Sequence, residues 1–320
     1  MFHYEPKDLT VREVHRLLLG GVAPRPIALV STISVDGINN LSPFSFFNAF
    51  GANPPIVAFS PSRRGRDSSL KDTYNNLIAT KECVIQSVTH SMVEQVNLAS
   101  AEFPSDYDEF VKSGLTPLIS ELVKPKRVKE SPFQMECKLL EMKSFGDAGA
   151  SANLAVCEVL KFHVDENLFT DGIIDPAKID LVARMSGDFY SRAGSDVFTL
   201  RMPATKKCIG YDQLPIHIRK SEIYSANDLG KFGNSESIPT DDDVKLFIQN
   251  ITESKYDGFE EGPKSFLRFQ KLNDYEKMLK AALGIKENKV RNVELAVKCA
   301  LQKHDMDFAW KAAMFVKDIK

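Results

Sequence analysis

The chain has 320 residues, a net charge of −2, and 43% hydrophobic against 26% charged content; it is an ordinary globular composition, long enough for two domains. Its charge is spread evenly, so there is no electrostatic basis for binding nucleic acid or an anionic membrane, and no apolar run reaches the ~20 residues that span a bilayer. Five cysteines without a C-x-x-C pair argue against a disulfide scaffold or a zinc site. The N-terminus MFHYEPKDLT lacks the basic and apolar regions of a signal peptide, so a cytoplasmic protein with buried free thiols is expected.

In chain order, residues 9–19 read as a weakly amphipathic helix, with Thr10 as its cap and Gly20-Gly21 as its stop. Residues 27–33 form a short β-branched run that suits a buried strand. Asp36-Gly37 signals a hairpin, because glycine accepts positive φ without steric cost, and residues 41–47 return as its second strand. A turn at 50–55 leads to a strand at 56–60. A helix is expected from Ser68 to about residue 79, capped by Asp67 or Ser68, then a strand at 82–88 and helical spacing at 91–98. Residues 102–126 are loop-rich, broken by Pro104, Pro117 and Pro125, with a short helix around 107–112. Residues 133–142 and 154–164 alternate like a strand pair, and the strand-like residues 198–202 close the module. Strands with inserted helices suit a barrel better than a doubly wound sheet.

From residue 204 the texture changes. A polar, turn-rich stretch runs to residue 243, and Thr240 or Asp241 caps a helix to about residue 251. A linker at 256–263 precedes helical segments at 264–283, 290–302 and 308–319, the first broken near Leu272-Asn273. Ala281, Ala282, Ala296, Ala300, Ala309 and Ala312 are small enough for close helix packing. The expected division is residues 1–225 and residues 226–320, the latter a small all-helical appendage. Its Ala-rich hairpin resembles a single tetratricopeptide unit, and one copy does not make an array.

The chemistry concentrates after the strand at 56–60, where Ser60-Pro-Ser-Arg-Arg-Gly-Arg-Asp-Ser-Ser-Leu-Lys-Asp-Thr73 joins hydroxyls, arginines and Lys71 at a strand-to-helix junction. Helix amides, hydroxyl donors and cationic forks converging on one place are what a phosphate requires. Ser68-Ser-Leu-Lys71 formally fits the S-x-x-K nucleophile pattern, but its companion elements lie too close together for that chemistry. No G-x-G-x-x-G follows a strand, and the six histidines form no metal-binding pair.

Taken together, RPIALVST (25–32), LSPFSFFNAF (41–50), PPIVAFSPSRR (54–64), SLKDTYNN (69–76), NLASAEFPSDYDEF (97–110), GLTPLIS (114–120), SPFQMECKL (131–139), IIDPAKIDLVARMSGDFYSR (173–192) and FTLRMP (198–203) occur in one order. Over about residues 1–203 the chain resembles the flavin reductase-like family, of flavoredoxin type. The resemblance implies a mainly β, six-stranded Greek-key split barrel that binds FMN non-covalently and works as a homodimer. It implies electron transfer from NADH, NADPH or a protein donor, through FMN, to a small-molecule or protein acceptor. Ser60, Arg64, Lys71, Asp72 and Thr73 then serve the phosphate and ribityl end. Ser31, Thr32, Ser45, Phe46, Phe47 and Asn48 form the isoalloxazine floor, and Arg184 stands at the open face. The segment Arg184-Met-Ser-Gly187 departs from the family's R-x-G-G at Ser186, a residue that tolerates positive φ poorly. Two other readings stay open: a non-catalytic FMN electron carrier, and an interaction protein that uses its helical tail.

Overall fold

The computed structural model describes residues 1–200, 207–256, 259 and 262–319. The chain forms two compact units, Met1–Phe198 and Thr199–Lys320. In the first lie α1 (Val11–Gly21), β1 (Arg25–Pro26), β2 (Ala28–Ile33), β3 (Asn39–Phe44), β4 (Phe47–Ala52), β5 (Pro55–Phe59), α2 (Asp72–Thr80), β6 (Glu82–Ser87), α3 (Val93–Leu98) and α4 (Glu109–Ser113). These are followed by β7 (Pro117–Leu118), β8 (Arg127–Val128), β9 (Phe133–Ser144), β10 (Asn153–Val164), β11 (Phe169–Thr170), β12 (Ile173–Ile174), α5 (Pro176–Ile179), β13 (Val182–Arg184) and β14 (Tyr190–Arg192).

Seven antiparallel strands form the main sheet, in the order β3-β2-β6-β9-β10-β5-β4. β3 and β4 stand at opposite ends of that order, yet only Ser45 and Phe46 separate them in the chain. A flat sheet of seven strands is roughly 29 Å across, whereas so short a link reaches only about 11 Å. The sheet therefore curls until its edges meet, and the fold is a split barrel. The single strand expected at residues 41–47 is two strands, and the chain bends at Ser45-Phe46 to leave one edge and join the other. Counted as one bent strand, they make the barrel six-stranded.

β2 is buried on both faces, so it lacks the in-out alternation of a half-exposed strand, and its two polar residues, Ser31 and Thr32, are hydrogen-bonded in the interior. Ala28 and Val30 point to the barrel interior with Phe59, Cys137 and Ala155. Ile27 and Leu29 meet Met92, Val96 and Phe110 on the outer side. The Asp36-Gly37 turn forms as expected, with Gly37 at φ 84° and the Ser34 amide bonded to the Ile38 carbonyl. Cys83, Cys137 and Cys157 lie in the interior as free thiols, and Cys299 is buried; Cys208 is exposed, against expectation. Hydrogen bonding to Cys137 and Cys157, then burial, pushes the Cys83 thiol well up.

α2 begins at Asp72, four residues later than expected. Ser68 takes a left-handed φ of 60°, and Asp67 accepts from the Ser69 amide at 3.0 Å, a local turn that competes with helix. In the second unit α6 (Ile216–Arg219), α7 (Ala226–Gly233), α8 (Asp241–Glu253), α9 (Pro263–Lys271), α10 (Tyr275–Gly284), α11 (Lys289–Gln302) and α12 (Met306–Phe315) form an all-helical body. The expected boundary at 225/226 falls inside it, since Leu214, Ile218 and Tyr224 belong to its core. α7 was hidden in the stretch read as turns, although Ser225 and Asp228 make a capping box there. The six alanines named above are all fully buried. Residues 198–200 carry no regular structure, and Arg201 and Met202, the rest of the expected closing strand, lie outside the described residues, as do Asp257, Gly258, Glu260 and Glu261 of the expected linker.

Candidate functional site

The loop between β5 and α2 is folded tightly on itself. The Arg64 guanidinium donates to the Leu70 carbonyl and the Ser69 hydroxyl, pairs with Asp72 at 3.2 Å, and lies 3.6 Å from Glu102. Lys71 is the residue before the first turn of α2, and no side chain caps the helix there. Its ammonium has no carboxylate within ion-pair distance among the described residues and sits 5.7 Å from the centre of the Phe44 ring. Burial, and then the neighbouring Arg64 charge, holds its pKa below the ordinary lysine value. In the same loop the buried Nε of Arg63 has no hydrogen-bond partner. An uncapped helix N-terminus beside an unpaired ammonium and an orphaned guanidinium N–H fits a phosphate group. A small pocket gathers Arg64, Lys71 and Asp72 with Asn40, Ser42, Thr73, Ser100, Glu102 and Glu109; Arg63 does not line it.

A larger cleft of about 320 Å³ shares Ser100 with that pocket and is lined by Phe44, whose ring Lys71 faces. Phe44, Ser45, Phe46, Arg25, Arg184 and Tyr190 line it, with His15 and Leu19 from α1. Arg25 starts β1 and is buried, bonding the Leu19 and Val22 carbonyls at 2.6 and 2.7 Å and the Met185 carbonyl at 2.9 Å. It thereby ties the end of α1 and the β13 segment to the cleft. The Arg184 guanidinium donates to the Tyr190 hydroxyl and lies 4.7 Å from that ring. The turn from β13 to β14 puts Gly187, not Ser186, at positive φ, so the family departure at Ser186 brings no backbone strain.

The expected site residues thus divide. Arg64, Lys71, Asp72 and Thr73 share the small pocket, and Ser45, Phe46 and Arg184 share the cleft. Ser31 and Thr32 are fully buried and line neither; Ser31 donates to the Lys126 carbonyl, and Thr32 bonds Asn40 and Asn76. Phe47 packs on the barrel core. Asn48 bonds the next backbone amide at 2.9 Å, and Ser60 bonds Ser62 at 2.9 Å. Arg25 and Glu109 line the two spaces without having been singled out, because a charged residue in a sequence ordinarily signals exposure. Among the described residues no helix is long and apolar enough to cross a membrane, and no acidic, His or Cys cluster could hold a metal ion.

Comparison with known proteins bears on the same unit. The "Flavin reductase like domain" family matches residues 20–177. An uncharacterized protein of Aquifex aeolicus is 38% identical over 181 residues, covering 56% of this chain and 90% of that protein. The crystal structure of nitrilotriacetate monooxygenase component B from Bacillus cereus superposes with a TM-score of 0.59 at 32% identity, covering 62% of this chain and 98% of the other. For the 2-nitrobenzoate 2-nitroreductase NbaA of Pseudomonas fluorescens the TM-score is 0.57 at 25% identity, with 65% and 100% covered.

Proposed function

This chain belongs to the flavin reductase-like family, and we propose that it is an FMN-dependent oxidoreductase. The observation that carries the reading is the unpaired, half-buried Lys71 ammonium at the uncapped start of α2, next to Arg64 and adjoining the cleft. On this reading Lys71, Arg64 and the first amides of α2 hold the FMN phosphate. Asp72, Thr73 and Ser60 stand near the ribityl chain. The Ser45-Phe46 bend supports the ring, Phe47 and Asn48 begin the strand that leaves it, and Ser31 and Thr32 stand farther along the barrel wall, opposite Leu41 and Asn40. FMN, bound without a covalent link, would supply hydride and electron transfer. Arg184 faces the side from which a reductant approaches, where its charge attracts anionic groups. NADH, NADPH or a reduced protein serves as donor.

The working form on this reading is a homodimer. β4 is open to solvent along most of its length, with Phe50 67% exposed, and α1 buries none of its residues although Leu17 and Leu18 are half exposed. Such edges and apolar faces favour pairing with a second copy. The test is the visible spectrum of the purified chain after incubation with FMN and removal of the excess, followed by anaerobic addition of NADH or NADPH. One FMN per chain that is bleached by either nucleotide is the expected result. A chain that retains no flavin refutes the proposal, and one that retains flavin which neither nucleotide reduces leaves a protein donor, testable with a reduced ferredoxin.

A further inference from the structure

The loop between β5 and α2 is held from outside by the turn that joins β9 to β10. Arg64 bonds Ser69, Leu70 and Asp72, contacts that close the loop on itself. The tie to the neighbouring turn runs one residue earlier. The Arg63 amide donates to the Ser151 carbonyl at 3.0 Å, and the Arg63 carbonyl accepts from the Ala150 amide at 3.3 Å. The fully buried Asn153, first residue of β10, donates to the Pro61 carbonyl at 3.1 Å. Its own oxygen accepts from the hydroxyl of Ser144, the last residue of β9, at 2.8 Å. Arg63 passes this hold onward, because its guanidinium donates across the loop to the Ser68 carbonyl at 2.8 Å. Beside these bonds the two backbones touch. A β-carbon on Gly149 would stand 2.8 Å from the Gly65 carbonyl oxygen and 3.3 Å from the Gly65 Cα, well inside van der Waals contact. A β-carbon on Gly65 would meet nothing within 4 Å, so the restriction falls on residue 149. Neither glycine lines the small pocket or the cleft. A loop that presents a guanidinium to a phosphate needs its backbone fixed to within about 0.5 Å, and the seat of this turn against Gly65 supplies such a constraint.

We propose that Gly149 is a positioning residue for the cofactor phosphate: by lacking a side chain it lets the β9–β10 turn seat against Gly65, and so sets where the Arg64 guanidinium is presented. This deepens the function proposed above and rests on its phosphate assignment. The test titrates the full chain with FMN and with riboflavin, which has the same ring and ribityl chain but no phosphate, and follows flavin fluorescence. Gly149→Ala should weaken FMN about fivefold or more, as for partial loss of a charge-assisted contact, and leave riboflavin nearly unchanged. Asp147→Ala, an exposed change on the same turn, should alter neither. Once Arg64→Gln has removed the guanidinium, adding Gly149→Ala should cost FMN little more, a comparison that holds even where riboflavin binds too weakly to measure. Equal weakening of the two flavins, unchanged FMN affinity in Gly149→Ala, or additive losses with Arg64→Gln each overturns the inference. If Gly149→Ala does not fold, Asn153→Ser, which releases the Pro61 carbonyl without adding bulk, carries the same comparison. A wild-type chain that binds riboflavin as tightly as FMN refutes the phosphate assignment itself. An FMN preference that Gly149→Ala leaves intact refutes this inference alone.

Discussion

Lys71 shows how a single residue ties the phosphate reading to measurable pH behaviour. Burial comes first among the causes that lower its pKa from 10.5, and the Arg64 charge second, with Glu102 and Asp72 acting the other way. Below the lowered value the ammonium is charged with or without FMN, and affinity is complete. As pH rises through that value the free protein loses the proton, so binding must take one up and affinity falls, beginning below 10.5. Lys71→Ala should weaken FMN about tenfold or more, since a charge-assisted hydrogen bond contributes roughly 1.5–3 kcal/mol, and should flatten this alkaline decline. Flavin fluorescence titrations across the alkaline range read both effects; wild-type affinity in the variant would sink the assignment. Glu102 competes for the same guanidinium at 3.6 Å and is half exposed, so Glu102→Gln should raise FMN affinity by a few-fold at most. Lys71 was legible in the sequence because a lysine after a strand and before a helix has few other uses. Arg25 was not, because what buries it includes Met185, 160 residues away.

Among elements, the join of β3, α2 and α4 rests on a buried polar network. Asn40 on β3 accepts from Thr32 at 3.1 Å and from Thr73 on α2 at 2.8 Å, and donates to Glu109 on α4 at 3.2 Å. The other Glu109 oxygen accepts from the Leu41 amide at 3.0 Å. Burial pushes the Glu109 carboxyl up from 4.5, against the pull of those hydrogen bonds. The folded state thus keeps a proton that the unfolded chain releases. The resulting stability is complete below about 4.5 and is lost as pH rises through the raised value. Glu109→Gln has only one side-chain acceptor for two donors and should cost about 1–3 kcal/mol. In urea unfolding at several pH values, the difference between wild type and variant should narrow as pH rises; a gap that stays level or widens would refute the titration argument. The β2–β3 hairpin was legible because its turn is local and chemically marked. The separation of β3 from β4 was not, since Ser45-Phe46 carries no turn signal and the bend is imposed by closure of the barrel. The start of α2 slipped to Asp72 because hydroxyl and Asp side chains at 67–69 favour local turns over helix.

At the scale of the whole molecule, each unit has a core of its own. The family match, residues 20–177, lies wholly within Met1–Phe198, as do all residues lining the small pocket and the cleft. Composition revealed that a helical body follows the barrel but not where it begins, because residues 207–240 are polar on average while Leu214, Ile218, Tyr224 and Phe232 are buried in its core. Phe232 packs edge-on against Trp310 with ring centres 4.7 Å apart, so a cut near residue 240 removes the partner of an otherwise buried aromatic. Two truncations therefore separate the possibilities. A chain ending at residue 240 should express poorly or aggregate, having exposed large apolar side chains that the lost helices cover. A chain ending at Leu200 should fold, hold FMN within a few-fold of the full chain, and sediment as a dimer, since α1 and β4 are retained with their exposed apolar faces. Sedimentation and retained flavin absorbance are read on the same sample. An FMN-loaded monomer would refute the dimer and leave the barrel's edges covered by some other means. A folded dimer without flavin would show that the helical unit contributes to the site, even though every residue lining the pocket and the cleft comes from the barrel.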